Sequence, residues 1–558
     1  MTKLVLGLTA SLVLVAPLAA SPAAAKAPVD LVIWGGPIYT AVDAAPKVEA
    51  VAVSQGRIAF AGGKAGARAL VGPMTKVIDL KGAALFPGFT DSHAHLDGVG
   101  DRELTLNLEG SKSAAEVTQL LKAYMAEHKP NGTVVGRGWI ETGWPEGRFL
   151  ERGDLDGVAP DVPVILTRAD GHALVANTAA LKAAHVDEAT PAPFGGQILK
   201  GPDGKLTGML VDNAKGLVNG ITPKATREHR LAQFRAAMKV ETAYGWTGVH
   251  SMSVRMDDVP LLEEMDKAGE ATLRVYNMVD YDQAAPLLAT GPRATPDGRI
   301  TTRGIKLYVD GALGSRGAAL FEPYSDAPTL RGTLITQPDV MRGALKKALA
   351  SGIQVSTHAI GDRGNATALD LYEEAFKTDP AKGKAARWRI EHAQILRPAD
   401  IPRFHADSVI ASMQTSHAIG DFHFAMARLG KDRLKGAYAW KSLLNSGAVV
   451  VGGSDAPVER GAPLIEFYAA VARKDLKGYS DAGWHPEEKL SRAEALKLFT
   501  VSAAYARFAE KDLGTISIGK RADFSGFSVD LMTAPEASIP KGHAVLTVVD
   551  GQVVYDKR

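Results

Sequence analysis

Apolar and polar positions along the chain alternate between short β-branched runs and longer segments with helical periodicity. Eight apolar runs end in glycine, histidine or other polar residues: ALFPGFTDSHAH, TGVHSM, LRVYNMV, GIKLYVDGAL, IQVSTHAIGD, WRIEHAQ, VIASMQTSH and AVVVGGSDAP. Most are followed by a helical pattern, such as GNATALDLYEEAFK after the fifth run. Strands that alternate with helices form parallel sheets, and eight of them predict an α/β fold, the closed (β/α)8 or TIM barrel.

The pattern is interrupted in one place, because a long segment with strand-like pieces of its own, TVVGRGWI and VPVILTRADGHALVAN, separates the first run from the second. A structureless connection of that length is rare. We therefore expect an inserted subdomain at about residues 100–240 within a barrel that spans residues 85–512. Both chain ends are β-rich, which predicts a small β-sandwich assembled from residues 26–84 and 513–558.

The N-terminus, MTKLVLGLTASLVLVAPLAASPAAAKAPVD, carries Lys3, an apolar stretch from Leu4 to Ala16 and then small residues. This order predicts a secretory signal peptide over residues 1–25 and a periplasmic or otherwise secreted bacterial protein. The alternative is an uncleaved membrane anchor, although the apolar stretch is shorter than the roughly 20 residues that a membrane helix needs.

Composition narrows the range of functions. Of 558 residues, 46% are hydrophobic and 23% charged, as in a soluble globular enzyme. The net charge is only +2 and no basic run is interleaved with aromatic residues, which argues against a nucleic-acid partner. The absence of cysteine excludes disulfides, thiolate nucleophiles and zinc-thiolate sites. The expected partners are a small-molecule substrate and a second copy in a homodimer, with no membrane after leader removal.

Two histidines stand one residue apart where the first predicted strand ends. His93 and His95 occupy positions i and i+2, which point to the same face of a strand. An isolated pair could equally consist of strand-end histidines hydrogen-bonded to neighbours. Further histidines and Asp455 end other predicted strands, however, and all such ends meet at one mouth of a barrel. Imidazole nitrogens with a carboxylate oxygen suit Zn²⁺ or a similar divalent ion.

The motifs resemble the amidohydrolase superfamily, and in particular its YtcJ-like branch, which includes N-substituted formamide deformylases. The matching pieces are PGFTDSHAH, TRADGHALVANTAAL, GIKLYVDGALGSRGAAL, THAIGDRGNATAL, RIEHAQ, GGSDAPV and LGTISIGKRADF. They span nearly all of the chain after the leader. The second strand departs from the branch, because it reads GVHSMSVRMDD where a His-Asp-Ala-Gly ending is common. This difference concerns the pocket wall and not the metal ligands.

The resemblance implies a metal centre with two ions, Zn²⁺ being the first choice, and a ligand set of barrel-strand residues: His93, His95, His358, His392 and Asp455. The first two would bind one ion, and the next two the other. The resemblance also implies that Lys306 is carboxylated and bridges both ions. The alternative is a barrel-interior lysine that pairs with an acid such as Asp310.

A divalent ion lowers the pKa of bound water from 15.7 towards about 7, so that hydroxide can attack a carbonyl at neutral pH. Asp455 would take the proton of the attacking water and deliver it to the leaving nitrogen. We therefore expect hydrolysis of carbon–nitrogen bonds in amide, N-acyl or N-formyl substrates. The alternatives are a hydrolytic deaminase, a lactone or ester hydrolase, and a binding or regulatory protein that retained the barrel.

Substrate contacts are expected from residues near the strand ends, namely Asp170, His172, Arg316 and Arg363. A turn-forming aspartate, a packed histidine and structural arginines explain the same residues without a ligand. His417 ends the seventh run and could line the pocket, but we favour its interpretation as a hydrogen-bonded histidine at the barrel end.

Overall fold

The computed structural model describes residues 1–2, 29–480 and 483–558. The predicted signal peptide, residues 1–25, lies outside this part of the chain except for its first two residues. None of the helices within the described ranges is both long enough and apolar enough to cross a membrane.

The strands of the described residues are numbered in chain order. Strands β1 to β23 span Leu31–Tyr39, Lys47–Ser54, Arg57–Gly62, Lys76–Asp79, Ala84–Pro87, Phe89–Ala94, Leu106–Asn107, Val134–Trp139, Val164–Arg168, Ala173–Ala176, Gly196–Lys200, Leu206–Asp212, Trp246–Val254, Arg274–Asp280, Arg293–Ala294, Ile300–Tyr308, Gln354–Ala359, Arg389–His392, Ile410–Gln414, Val450–Gly453, Phe524–Phe527, Ala544–Val549 and Gln552–Asp556.

The α-helices are numbered in the same way. Helices α1 to α17 span Lys64–Arg68, Leu96–Leu104, Ala114–His128, Arg152–Asp156, Thr178–Ala183, Arg227–Tyr244, Val259–Lys267, Ala285–Thr290, Pro338–Ser351, Asp362–Thr378, Pro380–Ala385, Ile401–Ala406, Thr415–Arg433, Trp440–Asn445, Pro463–Ala472, Arg492–Leu498 and Val501–Ala506.

Eight parallel strands form the central barrel, in the order β6, β13, β14, β16, β17, β18, β19 and β20. The last strand meets the first through two backbone hydrogen bonds: the Asp455 amide donates to the His93 carbonyl at 2.6 Å, and the His95 amide donates to the Ala456 carbonyl at 2.7 Å. Each of the eight predicted runs supplies one of these strands. The predicted (β/α)8 barrel is thus confirmed.

Helix α9 illustrates why the segments between strands form helices around the barrel. Pro338 occupies its first turn, where no intrahelical amide bond is lost, and Gly352 ends it with a left-handed φ of 68°. Met341, Leu345 and Ala348 recur at helical spacing and are buried, so one face packs towards the barrel. The local sequence therefore encodes both the helix ends and the buried face.

A six-stranded sheet is inserted in the chain between the first and second barrel strands. Its order is β11, β12, β10, β9, β8 and β7. The sheet reaches the barrel mouth, because the Asn213 side-chain amide donates to the Ile335 carbonyl at 3.1 Å and the His172 ring centroid lies 4.9 Å from that of His358. The insertion thus covers the end of the barrel where the strands terminate.

Strands from both chain ends join in one eight-stranded sheet, ordered β23, β22, β21, β5, β1, β2 and β3, with β4 beside β1. This sheet contacts the amino ends of the barrel strands. Phe89 at the start of β6 has its ring centroid 5.3 Å from that of Phe527, and Arg274 at the start of β14 donates through Nε to Asp523 Oδ2 at 2.6 Å. This sheet therefore leaves the opposite barrel end, at the carboxyl ends of the strands, uncovered. The domain boundaries given above stay predictions.

Helix α6 buries a carboxyl group that has no hydrogen-bond partner. Both carboxyl oxygens of Glu241 are buried without a donor in the described residues. Burial, reinforced by the negative charge of Asp91, raises the Glu241 pKa well above its ordinary value. The folded chain therefore keeps a proton that the unfolded chain releases near pH 4.5.

We expect the stability of the wild-type protein to fall relative to that of Glu241→Gln as the pH rises above 4.5. The folded state binds the extra proton, so its free energy of unfolding decreases by about 1.4 kcal/mol per pH unit until the folded-state pKa is reached. Urea denaturation at pH 5, 6 and 7 measures the difference. Glu228→Gln, in the exposed first turn of the same helix, is the control with a constant difference. A pH-independent difference for Glu241→Gln would contradict the buried, protonated carboxyl.

Candidate metal centre

The two histidines of the first barrel strand face one carboxylate. His93 lies in β6, and His95 immediately precedes α2. The Nε2 atoms of both rings lie 3.3 Å from Asp455 Oδ1, at the end of β20. The spacing of two residues and the closure of the barrel between β6 and β20 therefore bring all three side chains to one point.

The orientation of His93 is fixed by the carboxylate of Glu391, which itself pairs with a buried arginine. Its Nδ1 lies 2.6 Å from Glu391 Oε2, and Glu391 accepts hydrogen bonds from Arg389 at 2.8 and 3.0 Å. Burial opposes ionisation of Glu391, but Arg389 and His93 hold its pKa well below the usual range. The carboxylate holds the Nδ1 edge, so Nε2 points towards Asp455.

A second compact group contains His392, His417 and Asp455. The potential ligand atoms of this group, like those of His93, His95 and Asp455, all lie within 4.8 Å of one another. His392 Nδ1 lies 2.7 Å from Gln414 Oε1, which again leaves Nε2 towards the centre. His417 Nε2 lies 3.7 Å from Asp455 Oδ2. The structure thus brings His417 into the centre, although its position in the sequence did not single it out as a ligand.

His358 and Lys306 flank these groups. The His358 ring centroid is 4.5 Å from that of His392, while its Nε2 lies 3.5 Å from the Gly311 carbonyl oxygen. Lys306 Nζ lies 3.4 Å from His93 Nε2. All the predicted ligands therefore gather at one mouth, with His358 and Lys306 outside the two compact groups.

The protonation states suit metal binding. Burial, followed by the repulsion of neighbouring cationic groups, lowers the pKa values of His358 and His392 well below the usual range. These imidazoles are therefore neutral at pH 7, the form that binds metals. Burial opposes ionisation of Asp455, but the adjacent imidazoles, His93 foremost, hold its pKa well below the usual value.

Two buried polar atoms without partners give further evidence that these side chains fit a divalent cation. Asp455 Oδ1 and His417 Nε2 are both buried without a hydrogen-bond partner in the described residues. A buried carboxylate oxygen without a donor is costly unless a cation neutralises it. Imidazole nitrogens beside such an oxygen match the ligand preferences of Zn²⁺.

Two cavities meet at this centre. The first cavity, of about 430 Å³, has apolar walls that include Leu313, Ile419 and Phe424. The second cavity, of about 380 Å³, lies against Lys306 and Tyr308. The two cavities share a wall made by Asp170, His172, His358, His392 and Asp455. A molecule in either cavity would thus be adjacent to the same histidines and Asp455.

A model of the amidohydrolase family matches residues 76–555. The chain belongs to this family. YtcJ of Bacillus subtilis is 35% identical over 532 residues, which cover 94% of this chain and 99% of that protein. The N-substituted formamide deformylase of Arthrobacter pascens is 27% identical over 545 residues, or 95% and 98% of the two chains. A metal-dependent hydrolase from Pyrococcus horikoshii has a TM-score of 0.73 at 27% identity, covering 91% and 99%.

These similarities confirm the family that the motifs indicated and the predicted enzyme class. The protein is a metal-dependent amidohydrolase that acts on carbon–nitrogen bonds. The barrel mouth, where the histidines and Asp455 converge, is the place at which active sites of this fold are built.

The predicted substrate residues of this amidohydrolase divide into two pairs. Asp170 and His172 line both cavities, and His172 Nδ1 lies 2.7 Å from Asp212 Oδ1. Arg316 and Arg363 line neither cavity in the described part of the chain. Asp326 holds the Arg316 guanidinium at 2.9 Å, and Arg363 lies in the first turn of helix α10, so the cavities as described give neither arginine a place beside a substrate.

Other functional candidates emerge only from the packing. Glu391 directly precedes the candidate ligand His392 in the sequence. This position was the only feature of the sequence that could have identified Glu391 as part of the site. Gln414 ends β19 and holds His392. Both act on a ligand through its far nitrogen, a contact that depends on neighbouring strands and is not visible in any local motif.

We expect Gln414→Leu to weaken zinc binding about 10- to 100-fold, because His392 loses the partner that orients its ring. Chelator competition on the purified protein measures the dissociation constants. Gln354→Leu is the matched control: Gln354 is equally buried and accepts from Tyr276 at 2.9 Å, at the far end of the barrel. This control should lower stability without changing zinc affinity. Equal zinc affinities in Gln414→Leu and wild type would show that the contact does not support the ligand.

Proposed function

We propose that the protein hydrolyses small amides, N-acyl or N-formyl compounds, with two divalent ions, Zn²⁺ being the first candidate. His93 and His95 would hold one ion, His392 with His358 and His417 the other, and Asp455 would lie between them. The observation that carries this proposal is the single carboxylate, Asp455, which lies within 3.3–3.7 Å of imidazole nitrogens on both sides.

The ions would supply a water molecule acidic enough to attack at neutral pH and would polarise the scissile carbonyl. Asp455 would take the proton of the attacking water and deliver it to the leaving nitrogen. His172, held at Nδ1 by Asp212, presents its other nitrogen to the substrate. The inserted sheet over the barrel mouth limits access of bulk water.

Lys306 is proposed to bridge the two ions as a carbamate. Its Nζ lies 3.4 Å from His93 Nε2, and burial lowers its pKa, which favours the uncharged amine that reacts with carbon dioxide. A carboxylated lysine supplies two anionic oxygens, whereas an ammonium group at this position would repel both ions. Without the carbamate, Asp455 is the single anionic ligand of the proposed set.

The leader supports a location outside the cytoplasm. Residues 1–25 have the charged start, apolar core and small-residue end of a bacterial export signal, and we propose that the mature protein is periplasmic or secreted. The substrate would then be a compound that reaches that compartment.

Lys306→Ala should lower the bound metal from about two ions per chain towards one or none and should abolish activity, because the bridging oxygens are lost. Small carboxylates should restore part of the metal content. Elemental analysis of the purified protein decides the question, with Lys239→Ala, an exposed lysine of α6, as the control that keeps its metal. If Lys306→Ala retains both ions while His93→Ala loses them, Lys306 is structural.

Two observations support this substrate class: the similarity to an N-substituted formamide deformylase and the apolar walls of the first cavity. We expect the zinc-loaded protein to hydrolyse N-alkylformamides or N-acyl amino acids in a panel that also contains lactones and amino-substituted heterocycles. Asp455→Asn should reduce turnover by about 10²- to 10⁴-fold, since the proton carrier is lost.

Turnover confined to lactones or to amino-heterocycles would replace the proposal with an ester hydrolase or a deaminase. Absence of any hydrolysis at full metal occupancy would favour a binding or regulatory role. Metal content is measured for wild type and Asp455→Asn alike, so that a loss of turnover is not confused with a loss of metal.

A further inference from the structure

The second cavity contains two cations that the inserted segment supplies. Arg137 belongs to β8, and Lys215 to the 3-10 helix Asn213–Val218. Arg137 donates through Nη1 to the Gly98 carbonyl at 3.2 Å, and none of the ion pairs formed by the described residues includes it. Lys215 donates to the Gly171 carbonyl. The charge of neither side chain is therefore matched by a direct carboxylate contact.

Two carboxylates that line the second cavity are held by other side chains, although Asp212 Oδ2 has no hydrogen-bond partner in the described residues. Asp170 pairs with Arg168, and Asp212 with His172. Asp455 belongs to the metal centre. Burial, and then repulsion from Arg102, lowers the Arg137 pKa to about 10, so the guanidinium is still charged at neutral pH. A half-buried cationic group without a direct carboxylate contact favours an anionic ligand.

The first cavity has the opposite character, because the two arginines that line it are already paired with carboxylates, Arg168 with Glu141 and Asp170 and Arg460 with Glu109. Glu459 lines it, and the nearest basic atom paired with this carboxylate is His417 Nε2 at 3.9 Å. Asp421 lines the same cavity and brings a second carboxyl group. Glu466 also lines the cavity, and its Oε1 is buried without a partner in the described residues. A cation in this cavity would relieve the repulsion between these carboxylates.

We propose that the substrate lies across the metal centre in a single orientation, with its acyl half in the second cavity beside Arg137 and Lys215 and its amine half in the first cavity beside Glu459. This inference rests on the proposed function. The scissile bond would then lie at the wall that the two cavities share, against His392 and Asp455.

The charges of the products match this orientation. Hydrolysis of RC(O)–NHR′ by water breaks the carbon–nitrogen bond, forms a carbon–oxygen bond and yields RCO₂⁻ and R′NH₃⁺. The carboxylate appears on the side of the two cations, and the ammonium ion on the side of Glu459. The reverse orientation would place each product ion beside side chains of its own sign, which is unfavourable in a poorly hydrated cavity.

Equilibrium binding of two product-like probes to the zinc-loaded protein tests the orientation. Isothermal titration calorimetry with butyrate and with butylammonium measures each affinity. We expect Arg137→Met to weaken butyrate binding about tenfold or more, the loss typical of a hydrogen bond to a charged group, and to leave butylammonium binding unchanged. Glu459→Gln should do the reverse. Arg148→Met, which removes an arginine that pairs with Asp154 in the same inserted segment, is the matched control for both probes.

Arg137→Lys guards against a folding defect, because it retains the charge and should keep part of the butyrate affinity. Unchanged butyrate affinity in both Arg137→Met and Lys215→Met would overturn the orientation, even if amides are hydrolysed. Selective loss of butyrate binding in Arg137→Met would support the carboxylate subsite. This result would hold even if no amide is turned over, and the proposed reaction alone would then be wrong.

Discussion

The buried guanidinium of Arg389 holds together the strand ends on which the metal centre depends. It donates to the Ser92 carbonyl at 2.6 Å and to Ser412 Oγ at 2.7 Å, contacts His250 Nδ1 at 2.8 Å and pairs with Glu391. These contacts join β6, β13, β18 and β19 inside the barrel. A charge without access to water must be matched there, and Glu391 both matches it and orients His93. Burial, followed by the positive charge of Arg389, lowers the His250 pKa, so this ring stays neutral and accepts the bond. The packing of these four strands and the orientation of His93 are therefore parts of one hydrogen-bond network.

The barrel and the inserted sheet contribute different things to the same site. The barrel strands present the histidines and Asp455 from rigid positions, which is what close metal ligands require. The inserted segment brings His172, Arg137 and Lys215 over the mouth. Because these groups line the cavities, changes in the insertion can alter the cavities while the histidines and Asp455 of the barrel strands stay in place. The sheet built from both chain ends contacts the opposite end of the barrel and supports the strands without reaching the site.

The second barrel strand, whose sequence differs from the motif common in the related branch, contributes Ser253 to the second cavity. Ser253, near the end of β13, has a left-handed φ of 56°, and its hydroxyl pairs with that of Tyr308 beside the second cavity. A non-glycine residue in this region is strained and needs local contacts to hold it. Ser253 of the altered motif thus lines the cavity that also contains Arg137 and Lys215.

The sequence by itself determined the barrel, the order of its strands and the meeting of His93 with His95, because strand and helix periodicities are local and the carboxyl ends of barrel strands share one mouth. It also indicated Asp170 and His172 as residues near that mouth. Only the tertiary structure decided that His417 joins His392 and Asp455, that Asp326 holds Arg316 away from the cavities, and that Arg137 reaches the second cavity. These outcomes depend on how α13 leaves its strand and how the inserted sheet packs on the mouth. Distances between residues so far apart in the chain are set by packing, which no local pattern encodes.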